Sequence, residues 1–310
     1  MERFKRILVA APPGQLEPAT LRTSVRFADA NNADLMVLSI LEPLPRWRRS
    51  VKVEGRVIDL QQLVLRDRTD RFRRFVESTC PQLEVAVETR TGKPLVEVIR
   101  FALSHECDLV IVGEPEPSTG SAAGVSAGVM QLLRKCPVPV WTMRPTRGRT
   151  LGVLALVDPD PTSPVRDGLN DLVLELATSM VRRDGGELHV AHAWHLEGEA
   201  TAEAEIVQAV EEEHRAQLEA LTERHAISQA GGCVRLLNGE PGRVLPELAN
   251  RLDINLIVMG TVARTGLRGV FMGNVAETIL RSVHCSVLAL KPEGFVSPVG
   301  PERKLGKARA

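Results

Sequence analysis

Short aliphatic and β-branched runs recur along the chain, separated by amphipathic stretches. Ile7–Ala10, Asp34–Ile40, Glu84–Thr89, Asp108–Gly113 and Val138–Met143 form one series. Leu151–Val157, Glu187–Ala193, Cys233–Leu237, Asn255–Gly260 and Ser286–Leu290 form a second. The runs are nearly continuous in apolar character, as strands of a parallel sheet covered on both faces should be. Between them lie helical patterns such as 94–105 and 241–252. The latter begins with Pro241 at a first-turn position and carries Val244, Leu245, Leu248 and Leu252 at helical spacing. Five strands alternating with helices, twice over, predict an α/β chain of two tandem, doubly wound, five-stranded parallel-sheet domains.

The two series are one pattern repeated. Shifted by 147 positions, TGKPLVEVIRFALSHECDLVIVGE (91–114) lies over NGEPGRVLPELANRLDINLIVMGT (238–261) without a gap. Gly92 then meets Gly239, Pro94 meets Pro241 and Gly113 meets Gly260. Downstream, LLRKCPVPVWTMRP (132–145) lies over ILRSVHCSVLALKP (279–292), and ILVAAPP (7–13) falls on LALVDPD (154–160). That period suits a duplicated domain rather than a solenoid. The expected division is residues 1–146, residues 151–292 and a tail of 293–310. It falls in MRPTRGRTLG, where Pro145, Gly148 and three arginines break the apolar pattern. Intramolecular pairing of the two domains is expected, with the terminal strands Val138–Met143 and Ser286–Leu290 as the contact.

Length and charge narrow the classes. The 310 residues suit two domains, each able to bury a core. Thirty-nine basic residues balance thirty-nine acidic ones, which gives no electrostatic case for nucleic acid or an anionic membrane. No apolar stretch approaches the roughly 18 residues of a membrane span. The five cysteines are scattered and odd in number, so a reducing cytoplasm is the expected location. Balance overall hides an asymmetry. The segment after the second run is arginine-rich in the first repeat (Arg46 to Arg74) and glutamate-rich in the second (Glu203 to Glu223). Both can be solvated helix faces; alternatively, the opposite signs help two domains or two chains choose their partner.

The candidate chemistry lies in IVMGTVARTGLRGVFMGNVAET (257–278). In an open parallel sheet, ligands sit beyond the C-terminal strand ends where the strand order reverses. Glycines let the backbone approach a phosphate, and N–H groups at a helix start point toward it. Thr261, Arg264 and Thr265 could add polar contacts. The loop resembles the nucleotide-binding pattern G-x2-G-x9-G-[ST] of the universal stress protein family, here Gly260, Ala263, Gly273 and Asn274. GTVARTGL, GNVAET, LLRKCPVPVW and the paired halves resemble its tandem subclass. The resemblance implies ATP or another adenine nucleotide, with no metal beyond Mg accompanying it. Carried over, Asp158 would face the adenine and ribose, Met259 and Gly260 would flank the nucleotide, and Gly273, Asn274 and Val275 would meet its phosphates. Ala263 and Asn274 depart from the pattern. Asn274, with Glu277 three residues on, also reads as a helix cap with no ligand at all.

The first repeat carries Ala11 where the second has Asp158, and Glu116 where the second has Ala263. With Glu114 also present, its loop should repel a triphosphate, so this half is expected to be a degenerate partner. HVAHAWH (189–195) places His189 and His192 on opposite faces of a strand, against a zinc site. There is no G-x4-G-K-[ST] loop and no G-x-S-x-G elbow. With no tyrosine and 3% aromatic residues, stacking on single-stranded nucleic acid is disfavoured. No base for a slow ATPase is identifiable. The leading expectation is a non-enzymatic stress-response protein binding nucleotide in its second domain; the alternative is an interaction protein of the same fold without nucleotide. Homodimerisation and protein partners stay open.

Overall fold

A computed structural model describes residues 3–11, 16–81, 85–114, 124–144, 151–196, 203–261 and 272–300. In chain order the first repeat forms β1 (Arg6–Ala11), α1 (Pro18–Asn31), β2 (Asp34–Leu41), β3 (Ser50–Val53), β4 (Arg56–Asp59) and α2 (Leu60–Thr79). It continues with β5 (Ala86–Thr91), α3 (Pro94–Ser104), β6 (Leu109–Gly113), α4 (Ala127–Lys135) and β7 (Val140–Met143). The second repeat forms β8 (Gly152–Leu156), α5 (Pro164–Asp184), β9 (Glu187–Trp194), α6 (Ala204–Arg224) and β10 (Cys233–Asn238). It ends with α7 (Pro241–Arg251), β11 (Leu256–Gly260), α8 (Asn274–Ser282) and β12 (Ser286–Leu290). All ten expected strands are present, in tandem α/β order. The hairpin β3–β4 was not expected; it lies in the arginine-rich segment, whose short exposed runs carry no core-facing alternation.

Packing groups the chain into two compact units. One spans residues 3–113 with 135–138 and 297–300; the other spans 114–134 and 139–296. In the first, the strands run parallel in the order β6-β1-β2-β5. Ile7 and Val9 are fully buried and stand in register with Leu35 and Val37 on one side and Leu109 and Ile111 on the other. In the second unit the order is β10-β9-β8-β11-β12-β7. The first five are parallel and β7 is antiparallel to β12. Four helices, α1, α3, α5 and α7, begin with proline in the first turn, where its missing N–H costs nothing.

The repeat is visible in its polar pins as well. Asp108 accepts hydrogen bonds from the backbone N–H groups of Lys5 (2.6 Å) and Arg6 (3.1 Å). At the equivalent position, Asn255 accepts one from Gly152 N–H at 2.7 Å. In each case a side chain at the foot of the fourth strand of the repeat fixes the start of its first.

The β7–β12 pair joins the two expected terminal strands. Leu288 faces Trp141 across it and Val258 of β11 on its other side. The Thr142 hydroxyl accepts from Val287 N–H (3.2 Å) and the Ser286 hydroxyl accepts from Arg144 N–H (3.0 Å). These buried hydroxyls are satisfied by backbone, as burial requires. Leu288 is fully buried at the centre of this pair. Leu288→Ala should therefore cost about 2–5 kcal/mol through lost contacts and a cavity. Urea denaturation should show a lower midpoint with an unchanged slope.

Candidate functional site

From β8 the chain passes to β9 on one side, while β11 returns on the other. Their C-terminal ends therefore part at a switch point, where crossovers lead away in opposite directions and a crevice opens. Asp158 lies two residues beyond β8, and Gly260 ends β11, whose Met259 is in register with Leu156. Gly273 N–H donates to Thr261 O at 3.3 Å, which ties the start of α8 to the end of β11. Asp158, Gly260, Gly273, Asn274 and Val275 all belong to this edge; Ala263, Arg264 and Thr265 lie outside the described residues. Met259 is buried and its side chain belongs to the core.

Each wall has a local physical cause. Asn170 of α5 clamps the backbone of Asp158. Its amide oxygen accepts from Asp158 N–H and its amide nitrogen donates to Asp158 O, both at 3.0 Å. Arg166, in the first turns of α5, reaches the carboxylates of Asp158 (3.2 Å) and Asp160 (3.0 Å). The Asp158 carboxylate thus stands at the crevice with a guanidinium already beside it. At the end of β11, a Cβ on Gly260 would stand 3.0 Å from Leu169 Cγ, and closer still to one of its methyls. Gly260 is small because helix α5 packs there, which explains it without any ligand. Beyond it, Thr261 is fully buried. Its hydroxyl donates to Leu290 O (3.0 Å) and accepts from the buried Lys291 ammonium (2.8 Å). Lys291 also lies 4.8 Å from the Phe295 ring centroid. Asn170, Arg166 and Lys291 were missed from sequence because no motif marks a partner reached only across a fold.

The start of α8 differs from the expected cap. Gly273, not Asn274, is the N-cap; its carbonyl accepts from Glu277 N–H at 3.0 Å, and among the described residues no side chain caps the helix. Asn274 is exposed and already helical, one residue too late for its amide to turn back on the first amides. Glu277 makes no capping box. Arg134 (2.6 Å) and Arg281 (2.8 Å) hold its carboxyl, and keep its pKa below the ordinary carboxylate range. Gly273 has φ −63° and ψ 145°, a conformation open to any residue, so a side chain there would not strain the turn.

The equivalent edge of the first repeat is closed from within. Glu114, buried, accepts from Ser126 N–H (3.2 Å) and the Ser126 hydroxyl (2.8 Å), and Val129 N–H donates to that hydroxyl (3.4 Å). Glu114 aligns with Thr261 and Ser126 with Gly273. The carboxylate therefore sits at the start of α4, the position that the start of α8 takes in the second repeat. Glu116 lies outside the described residues. The histidines of β9 are core groups. His192 Nδ1 is 3.1 Å from Val157 O and its Nε2 is 2.9 Å from His214 Nδ1. Among the described residues no cluster of three metal-ligating side chains occurs. A cavity of about 600 Å³ lies at the other, N-terminal ends of the strands in the first unit, lined by Arg6, Asp34, His105 and Glu106.

The universal stress protein family model matches residues 3–144 and 164–291. The chain belongs to the universal stress protein family. Universal stress protein E of Salmonella typhi is 24% identical over 315 residues, covering 96% of this chain and 98% of the relative. That of Escherichia coli K12 is similar to the same extent. A crystal structure from Pseudomonas aeruginosa PAO1 matches with a TM-score of 0.70 at 23% identity, covering 95% of each chain. A universal stress protein from Archaeoglobus fulgidus matches at 0.62 and 17% identity, covering 92% of this chain and 98% of that one. At those identities the solved structures speak for the fold alone.

Two substitutions test the local causes. Gly260→Ala should cost about 1–3 kcal/mol by overpacking against Leu169, and Leu169→Ala in the same chain should recover part of that loss. Glu114→Ala should cost about 0.5–2 kcal/mol as the start of α4 loses its acceptor, with Glu114→Gln between it and the parent. Thermal and urea melts of the variants measure both.

Proposed function

We propose that this universal stress protein is a non-enzymatic stress-response protein that binds ATP or a related adenine nucleotide at the second-repeat switch point. The carrying observation is the contrast between the repeats: the start of α4 is occupied by the Glu114 carboxylate, whereas among the described residues no side chain caps the start of α8. The first amides of a helix have no intrahelical acceptor, and a phosphate is a natural one. In this reading Asp158 receives the ribose hydroxyls while Arg166 holds its carboxylate in place. The backbone of Gly260, Gly273, Asn274 and Val275 faces the phosphates, and Ala263 and Arg264 complete the loop. The first repeat contributes packing rather than a second nucleotide site.

Gly273 has an ordinary backbone conformation but is buried, so Gly273→Val reads ligand approach only under conditions where its melt shows a fully folded chain. Titration calorimetry of ATP into verified apo protein should show at least a tenfold loss of affinity, about 1.4 kcal/mol, for Gly273→Val. Asp158→Ala should weaken binding as well. Asn274→Ala should leave the melting temperature almost unchanged, since its side chain caps nothing, so any loss of affinity reports contact with the ligand. Equal affinities for the parent and Gly273→Val, or no binding to the apo parent, would reject the proposal.

A further inference from the structure

Between β2 and α2 the first repeat has eighteen residues (42–59), where the second has nine (195–203) between β9 and α6. The extra length builds the hairpin β3–β4. Glu54 (φ 47°) and Gly55 (φ 79°) take left-handed conformations at its tip, as a two-residue I′ turn requires. The hairpin is tied down at its base: Leu60 N–H donates to Arg49 O (2.8 Å) and Leu44 N–H to the Gln61 side chain (2.6 Å). Asp59 caps α2 by accepting from Gln62 N–H at 3.1 Å. It is thus a formed arm, although an isolated two-stranded hairpin is marginal in water.

The arm and the helix it leads into are unusually bare. Of the twenty residues of α2 only Val76 is buried. Among the described residues, six of the ten exposed large apolar side chains fall between positions 47 and 64, on the arm and the start of α2. Trp47 is 75% exposed, Val57 65% and Leu63 54%. The same stretch is one-sided in charge: residues 46–74 hold ten Lys and Arg against four Asp and Glu. Apolar patches rimmed by charge mark interaction sites.

The chain itself carries the complementary surface. Residues 203–224, which include α6, hold seven glutamates against two arginines, and Ile206 is 50% exposed on the same helix. Arg66 and Arg73 lie exposed seven residues apart on α2, while Glu205, Glu212 and Glu219 lie exposed at the same spacing on α6. Seven residues of helix rise about 10.5 Å, so the two charge rows share one pitch. We propose that the hairpin and α2 of one copy dock on the acidic face of α6 of a second copy of this chain. Trp47, Val57 and Leu63 are covered in that contact. The interacting surfaces are unlike and both present in every copy, so association closes or propagates according to the rotation between copies.

Charge reversal tests this with the full chain. Sedimentation velocity should show concentration-dependent association that weakens as salt screens the rows. R66E/R73E alone and E212R/E219R alone should each sediment as monomers while retaining the parent melting temperature. An equimolar mixture of the two variants should associate again, because each arm then meets an α6 of opposite sign. A parent chain monomeric at all concentrations and at low salt would overturn the proposal. So would association indifferent to both reversals, or a mixture that stays monomeric. Binding of a monomeric parent to phosphatidylglycerol vesicles would assign the arm to an anionic membrane instead.

Discussion

The first amides of a helix need acceptors that the helix cannot supply, and a parallel sheet gathers such helix starts along one edge. Every crossover in a parallel sheet leaves from the C-terminal ends of the strands. The loops that re-enter a helix there bring exposed N–H groups to the crevice at the switch point. The repeat meets this one constraint twice with different residues. In the first copy Glu114 folds onto Ser126, so the anion is covalently part of the chain and its position is fixed by β6. In the second, the aligned residue is Thr261, which turns inward to Leu290 and Lys291, and among the described residues no side chain caps the start of α8.

One exchange thus separates a closed edge from an open one. A carboxylate after the strand reaches outward to the helix; a threonine in the same place is drawn into the sheet. Arg144 and Lys291, aligned by the same period, follow suit. Arg144 donates to the Gly124 carbonyl, whereas Lys291 donates to Thr261. The cation after the last strand of each repeat therefore holds one end of its loop, the exit at Gly124 in the first copy and the entrance at Thr261 in the second.

Much of this architecture was legible because it rests on periodicity. The ten strands appear where continuous apolar runs occur, and the 147-residue register correctly places Asp108 over Asn255 in equivalent roles. What the sequence left obscure depends on neighbours distant in the chain. Gly260 reads as a phosphate-approach glycine, yet Leu169 alone is reason enough for it. Asn274 and Glu277 read as a capping box, but the helix starts one residue earlier and two arginines claim the glutamate. Glu114 could be recognised as hostile to phosphate; that it accepts from the start of α4 depends on a reach to Ser126 which no spacing rule encodes. The hairpin was hidden for the opposite reason, since β3 and β4 bury almost nothing and leave no apolar signature.

The same distinction separates the two kinds of surface on this chain. At the switch point, nearly every side chain that shapes the crevice is held by a second group: Asp158 by Arg166, its backbone by Asn170, Thr261 by Lys291. Groups held in this way are positioned by the fold itself. The arm is organised differently. Its backbone is fixed by an I′ turn and by bonds at its base, while Trp47, Val57 and Leu63 remain in water. Exposed apolar area of that kind is stabilised only by being covered, and the basic row beside it discriminates which surface can cover it. The insertion that distinguishes the first repeat therefore offers a surface for recognition that the second repeat, with its shorter connection, lacks.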